Sequence, residues 1–126
     1  MTVRTRRIET VIQFVSDPAA SARWYADLLG FETTPYDAPY FKFSEHCYLL
    51  LLPASPETGR GGTGIWFEVD DVDAAFTELK ARGYAFNEPA PFDIPPGRLV
   101  TLFDPDRNLI GLIDNSKGGM PGLTYP

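Results

Sequence analysis

Few side chains in this sequence could carry acid–base or covalent chemistry. His46 is the sole histidine and Cys47 the sole cysteine. A lone histidine works as a general base only in a cleft and beside an orienting partner. His46 falls in a short Glu45-His46 turn, where such a side chain is ordinarily solvated. A Cys–His nucleophile pair requires the two groups to meet, and neighbours in a strand point to opposite faces, which keeps Cys47 from His46. One cysteine also leaves no intrachain disulfide and no CxxC metal site. No catalytic residue is assigned on these grounds.

The remaining candidates bind rather than react. Trp66 stands between Gly64 and Glu68 in the run GIWFEV and shares their strand parity. Ile12 and Phe14 share the parity of Thr10 in TVIQFV, and Tyr48 and Leu50 alternate in the same way in CYLLLL. A surface walled by Trp and Phe suits a planar, apolar ligand held by stacking; the plainer alternative is aromatic core filling. Glu68 lies ~13 Å along its strand from Gly64, at ~3.3 Å per residue. It is either a solvated rim carboxylate or a partner for a ligand cation. Arg98, after Pro96-Gly97, could pair with a substrate anion or be an exposed strand-end arginine. Glu9 adjoins Thr10 and should face the other way, unless the register slips by one residue. The ligand-binding set is therefore Ile12, Phe14, Tyr48, Leu50, Trp66, Glu68 and Arg98.

The elements that must position these residues occur twice. A strand over 8–15 leads through Ser16-Asp17-Pro18 into a helix that ends at Gly30. Asp17 is placed to cap that helix, Pro18 lacks the N–H that the first turn would leave unpaired, and Gly30 suits a left-handed stop. A second strand from Gly64 leads through Asp70-Asp71 into a helix closed by Gly83. The interval from Asp17 to Asp71 differs by one residue from that between Gly30 and Gly83, the mark of a duplicated module. Ala22, Tyr25, Leu28 and Leu29 form one helical stripe; Val72, Ala75, Phe76 and Leu79 form the other. Strands are expected over 31–34, 40–44 and 47–52 in the first module, and over 84–87, 98–103 and 109–113 in the second. Asp104-Pro105-Asp106-Arg107-Asn108 reads as a turn. The expected plan is one α+β domain over 1–126, with modules at about 6–53 and 64–114. A Pro/Gly-rich linker spans 54–63, and an aperiodic arm spans 115–126.

Bulk properties agree with a folded globule, and the mild acidic surplus, compatible with a cationic small molecule, is also ordinary for such a protein. The 126 residues, 44% hydrophobic with a net charge of −6, suit a single globule and disfavour nucleic acid as a partner. The longest apolar run, Tyr48 to Leu52, is far below the roughly 20 residues that span a bilayer, and no signal peptide is recognisable. The expected location is cytoplasmic, with no membrane partner.

Three segments, VSDPAASARWYADLLGFE (15–32), FEVDDVDAAFTELKARGY (67–84) and PPGRLVTLFDPDRNLIGLID (95–114), resemble the vicinal oxygen chelate superfamily. That superfamily includes glyoxalase I, extradiol dioxygenases and the bleomycin resistance proteins. The resemblance implies two βαβββ modules forming a cupped cleft with helices on the outer face. It further implies a homodimer, which would also cover exposed sheet edges. In metal-using members the cleft holds a divalent cation on His, Gln or Glu. Counted from the motifs, those ligand positions fall on Thr10, Leu50, Gly64 and Gly111 here, none of which supplies an imidazole or carboxylate. Arg107 stands where the family usually has Gly. The expectation is a protein without metal or cofactor, similar to the bleomycin resistance type of antibiotic resistance protein, that sequesters or carries a planar or cationic compound. The alternative is a metal-dependent lyase, isomerase or dioxygenase drawing ligands from Glu9, His46 or Glu68 through a shifted register.

Overall fold

The computed structural model describes residues 3–4, 6–33 and 38–119. The chain divides after Gly61 into two compact units. In the first, β1 (Thr10–Val15), α1 (Pro18–Leu29), β2 (Tyr40–Ser44) and β3 (Cys47–Pro53) form a sheet of order β1-β3-β2 with one helix. In the second, β4 (Gly64–Glu68), α2 (Val72–Ala81), β5 (Phe92–Ile94), β6 (Gly97–Phe103) and β7 (Leu109–Asp114) form a sheet of order β4-β7-β6-β5. Helices and mixed sheets make this an α+β fold, as expected. Among the described residues no helix is long and apolar enough to cross a membrane.

Both helices begin and end as their sequences dictate. The Asp17 carboxylate accepts the Ala20 N–H at 3.1 Å, and the Asp71 carboxylate accepts that of Ala74 at 3.1 Å. Gly30 adopts φ 73° and donates its N–H to the Ala26 carbonyl, stopping α1 in the left-handed conformation that a side chain would strain. Ala22, Tyr25 and Leu28 of α1 are buried with Val15, Phe41, Leu49 and Leu51, so alternation sends these strand residues to the helix-covered face. Tyr25 donates its hydroxyl to the side-chain amide oxygen (Oε1) of Gln13 at 2.6 Å, and both residues have no exposed surface. In the second unit Val72 and Leu79 of α2 are buried along with Phe67, Val100, Leu102, Ile110 and Leu112. There the Val72 N–H is capped by the buried Asp114 carboxylate at 2.9 Å.

Among the described residues, two expected strands do not form. Residues 31–33 are irregular, with Phe31 packed edge-on against Phe43 at 5.3 Å; Thr34 lies outside the described residues, as do 35–37 and the arm beyond Gly119. Residues 84–87 are also irregular. Phe86 turns to Phe76 of α2 at 4.9 Å, and a single backbone bond joins Asn87 N–H to the Thr101 carbonyl. The Glu88 carboxylate then takes the Thr101 N–H at 2.6 Å and its hydroxyl at 2.7 Å, replacing a ladder partner with a side chain. The edge strand forms further on, at Phe92–Ile94.

Candidate functional site

Strand alternation leaves each sheet a second face, turned away from its helix. In the first unit Thr10 pairs with Tyr48, Ile12 with Leu50 and Phe14 with Leu52 in a parallel register, while Tyr40 lies opposite Leu50. Residues opposite one another share a face. Thr10, Tyr40, Tyr48 and Leu50 line an open pocket of about 330 Å³, with the two tyrosine rings edge-to-face at 5.8 Å. Tyr48 is steadied by its hydroxyl, which donates to the Glu45 carbonyl at 2.9 Å. The structure thus brings Ile12, Phe14, Tyr48 and Leu50 onto one face, and Tyr40 joins them. Tyr40 was missed as a candidate, although its alternation within YFKFS was the available signal.

Glu9 and His46 go elsewhere. With Arg6 and Arg7 they line a separate surface pocket of about 360 Å³. Among the described residues, no three His, Cys, Asp or Glu gather to hold a metal ion.

In the second unit Gly64, Trp66 and Glu68 share the face away from α2, as their parity predicts, and Trp66 lies directly opposite Gly111 on β7. The indole is 51% exposed, yet it is seated on that glycine. A Cβ at Gly111 would fall within 2.9 Å of the indole Cγ and overlap Cδ1 more deeply still. The absent side chain therefore makes room for the ring. Beyond it, Glu68 accepts the Asn115 amide N–H at 2.5 Å, which orients an exposed carboxylate at the end of β4.

Arg98 lies on the opposite, helix-covered face. Its guanidinium bonds to Asp73 of α2 at 2.9 and 3.0 Å, to Asp93 at 3.2 Å and to the Pro91 carbonyl. Asp73 and Asp93 hold the Arg98 guanidinium protonated well above its ordinary value. Hydrogen bonds from Lys117 and Arg98 hold the Asp93 carboxyl below the usual aspartate range. Bonds from Ser116 and the Val72 N–H do the same for Asp114.

Residues 7–112 match the family model of the Glyoxalase/Bleomycin resistance protein/Dioxygenase superfamily. The chain belongs to that superfamily. No curated protein matches it. Among solved structures it is similar to TnmS3, an antibiotic binding protein from Streptomyces sp. CB03234. The two share 26% identity at a TM-score of 0.74, over 91% of this chain and 100% of TnmS3. The oxidase ChaP-H1 superposes at a TM-score of 0.75 with 24% identity, over 91% and 100% of the two chains. A glyoxalase/bleomycin resistance protein/dioxygenase from Nocardioides gives 0.73 and 24%, over 98% and 93%. At that identity the last two likenesses speak to fold alone.

Within this superfamily's framework the residues do not fit a metal. Thr10 and Leu50 line the first unit's pocket without a nitrogen or carboxylate donor. Gly64 has no side chain, and the space above Gly111 is filled by the Trp66 ring.

Proposed function

We propose that this chain is a metal-independent binding protein of the superfamily that holds a planar, largely apolar small molecule by stacking on Trp66. Glu68 stands at the end of the same face for a cationic substituent. One observation carries the reading: a half-exposed indole occupies the space above Gly111, where metal-using relatives would place a ligand side chain. Large flat side chains left in solvent on a rigid strand are what a stacking site requires. The second unit supplies this platform, and the first, taken by itself, carries an open pocket lined by Tyr40 and Tyr48. A lyase, isomerase or dioxygenase would need imidazole or carboxylate donors that Thr10, Leu50, Gly64 and Gly111 do not supply. We infer in addition that the protein works as a cytoplasmic homodimer.

Elemental analysis of protein purified without chelator should find far less than one Ni, Zn, Fe or Mn per chain; a stoichiometric metal would overturn the reading and favour the enzyme. A thermal-shift screen against polycyclic antibiotics should identify ligands. Trp66→Ala should then weaken their binding about tenfold, equivalent to ~1.4 kcal/mol, while the fold persists. Severe destabilisation with unchanged affinity would instead make Trp66 a packing residue.

A further inference from the structure

We propose that Arg107 anchors an anionic group of the ligand, so that the preferred flat ring system bears a carboxylate, sulfonate or phosphate at the Phe103 end of the platform, the end away from Glu68. The inference rests on the reading of Trp66 as a stacking platform and adds the chemical class that the platform selects.

Arg107 is the one non-glycine residue among those described with a positive φ, at 68°. That conformation disfavours any L side chain, because Cβ crowds the following carbonyl oxygen. The turn does not need an arginine to hold its shape. The Asp104 carboxylate accepts the Asp106 N–H at 2.9 Å, the Asn108 N–H at 2.8 Å and the Asn108 side-chain amide at 2.8 Å. Asn108 in turn accepts the Thr63 N–H and hydroxyl, and the Arg107 N–H donates to the Asp104 carbonyl. With the backbone so determined, glycine would fit without strain. The arginine side chain is thus present despite the fold rather than for it, the signature of a residue retained for what it touches outside.

Its placement says what that is. The guanidinium lies over the Phe103 ring, 4.2 Å from the centroid. Phe103 pairs with Leu109 and shares the parity of Thr101 and Gly111, so this ring is on the same sheet face as Trp66. Phe103 is 38% exposed. No hydrogen bond or ion pair engages the Arg107 side chain among the described residues. A guanidinium held over an aromatic ring without hydrogen bonds to the protein keeps N–H edges for a ligand, and those edges match a carboxylate or phosphate in a two-pronged bond. By register, the indole and Phe103 lie two residues apart along β7 and on strands flanking it. That is ~12 Å from strand spacings of ~3.3 Å per residue and ~4.8 Å between strands. Three or four fused rings carrying an acid group span this distance.

The test uses 1-pyrenecarboxylate and its uncharged amide, 1-pyrenecarboxamide, as probes, titrated against the parent, Arg107→Gly, Arg107→Lys and Trp66→Ala by quenching of tryptophan emission and by calorimetry. The acid should bind the parent about tenfold more tightly than the amide, the scale of one charge-assisted bidentate contact. Arg107→Gly should erase that preference by weakening the acid far more than the amide, Arg107→Lys should retain part of it, and Trp66→Ala should weaken both probes alike. Equal affinity of acid and amide for the parent, or a preference that survives Arg107→Gly, would overturn the anchor and leave the Trp66 reading intact. Failure of both probes to bind, or binding of both that ignores Trp66→Ala, would overturn the platform and the anchor with it. Arg107→Gly should melt with the parent; if it melts lower, Arg107→Gln, which keeps the stem but not the charge, carries the same comparison.

Discussion

The two units are built to one plan and secure it by different means. In the first, α1 is tied to its sheet by a neutral hydrogen bond buried from water, Tyr25 to Gln13. In the second the ties are ionic. Asp114 caps the first turn of α2, and Arg98 clamps Asp73 of that helix to Asp93 of the edge strand. The faces turned away from the helices differ as well. The first unit presents Tyr40 and Tyr48 edge-to-face around an open pocket with Thr10 and Leu50, whereas the second sets one large ring on a bare glycine. Duplication has supplied two scaffolds, and among the described residues the second alone carries a backbone space shaped for an indole.

The strongest perturbation of this contrast should come from Gly97→Ala in the second unit. A Cβ there would collide with the Asp114 backbone carbonyl, a contact that no rotamer change relieves. A loss of about 3 kcal/mol is expected, at the upper end of overpacking costs, read by urea denaturation; a loss below half that would mean that β6 and β7 can separate freely. Tyr25→Phe tests the first unit's tie. It removes a donor from the fully buried Gln13 side-chain oxygen and should cost ~1–3 kcal/mol, and a neutral result would show that this oxygen readily finds another donor.

Gly111→Ala should be milder, because an indole can tilt where a backbone cannot. About 1 kcal/mol is expected, together with a shifted tryptophan emission maximum; unchanged emission would contradict the seating of Trp66. The smallest effect is acid sensitivity of the ionic ties. Asp93 and Asp114 both have folded pKa values below the ordinary 3.8. As pH falls through 3.8 the unfolded chain takes up protons before the folded one, so this stabilisation, full above that value, drains away below it. Asp93→Asn and Asp114→Asn should flatten the stability profile between neutral pH and pH 3. Tyr25→Phe should leave its shape unaltered.

Much of the architecture was legible because local rules and tertiary demands agree. The Asp17 and Asp71 caps, the Gly30 stop and the alternation in β1 and β3 all follow from single-residue chemistry. Residues 84–87 misled because Tyr84 and Phe86 alternate like a half-buried strand, while the Phe86 ring packs on Phe76 of α2 and the Tyr84 ring lies under the Arg82 guanidinium at its C-terminus. The true edge strand, Phe92–Ile94, is short and flanked by Pro91 and Pro95, which hides it. Parity placed Trp66 and Glu68 on one face correctly. It could not reveal that Trp66 meets Gly111, because that apposition depends on how β4 registers against a strand some forty residues later. Arg98 shows the reverse: adjacent Pro96 and Gly97 suggested an exposed end, and only the packing of α2 disclosed its acidic partners.

The distribution of the two tryptophans has an optical consequence. Trp24 lies edge-on to Tyr25 at 5.0 Å in the first unit, and Trp66 stands half in water in the second. The chain thus carries one tryptophan per repeat, in contrasting surroundings. Collisional quenchers such as iodide will reach one indole more readily than the other. Single-tryptophan variants, Trp24→Phe and Trp66→Phe, then turn the duplicated architecture into a pair of separately readable channels, through which the unfolding of each half can be timed in unlabelled protein.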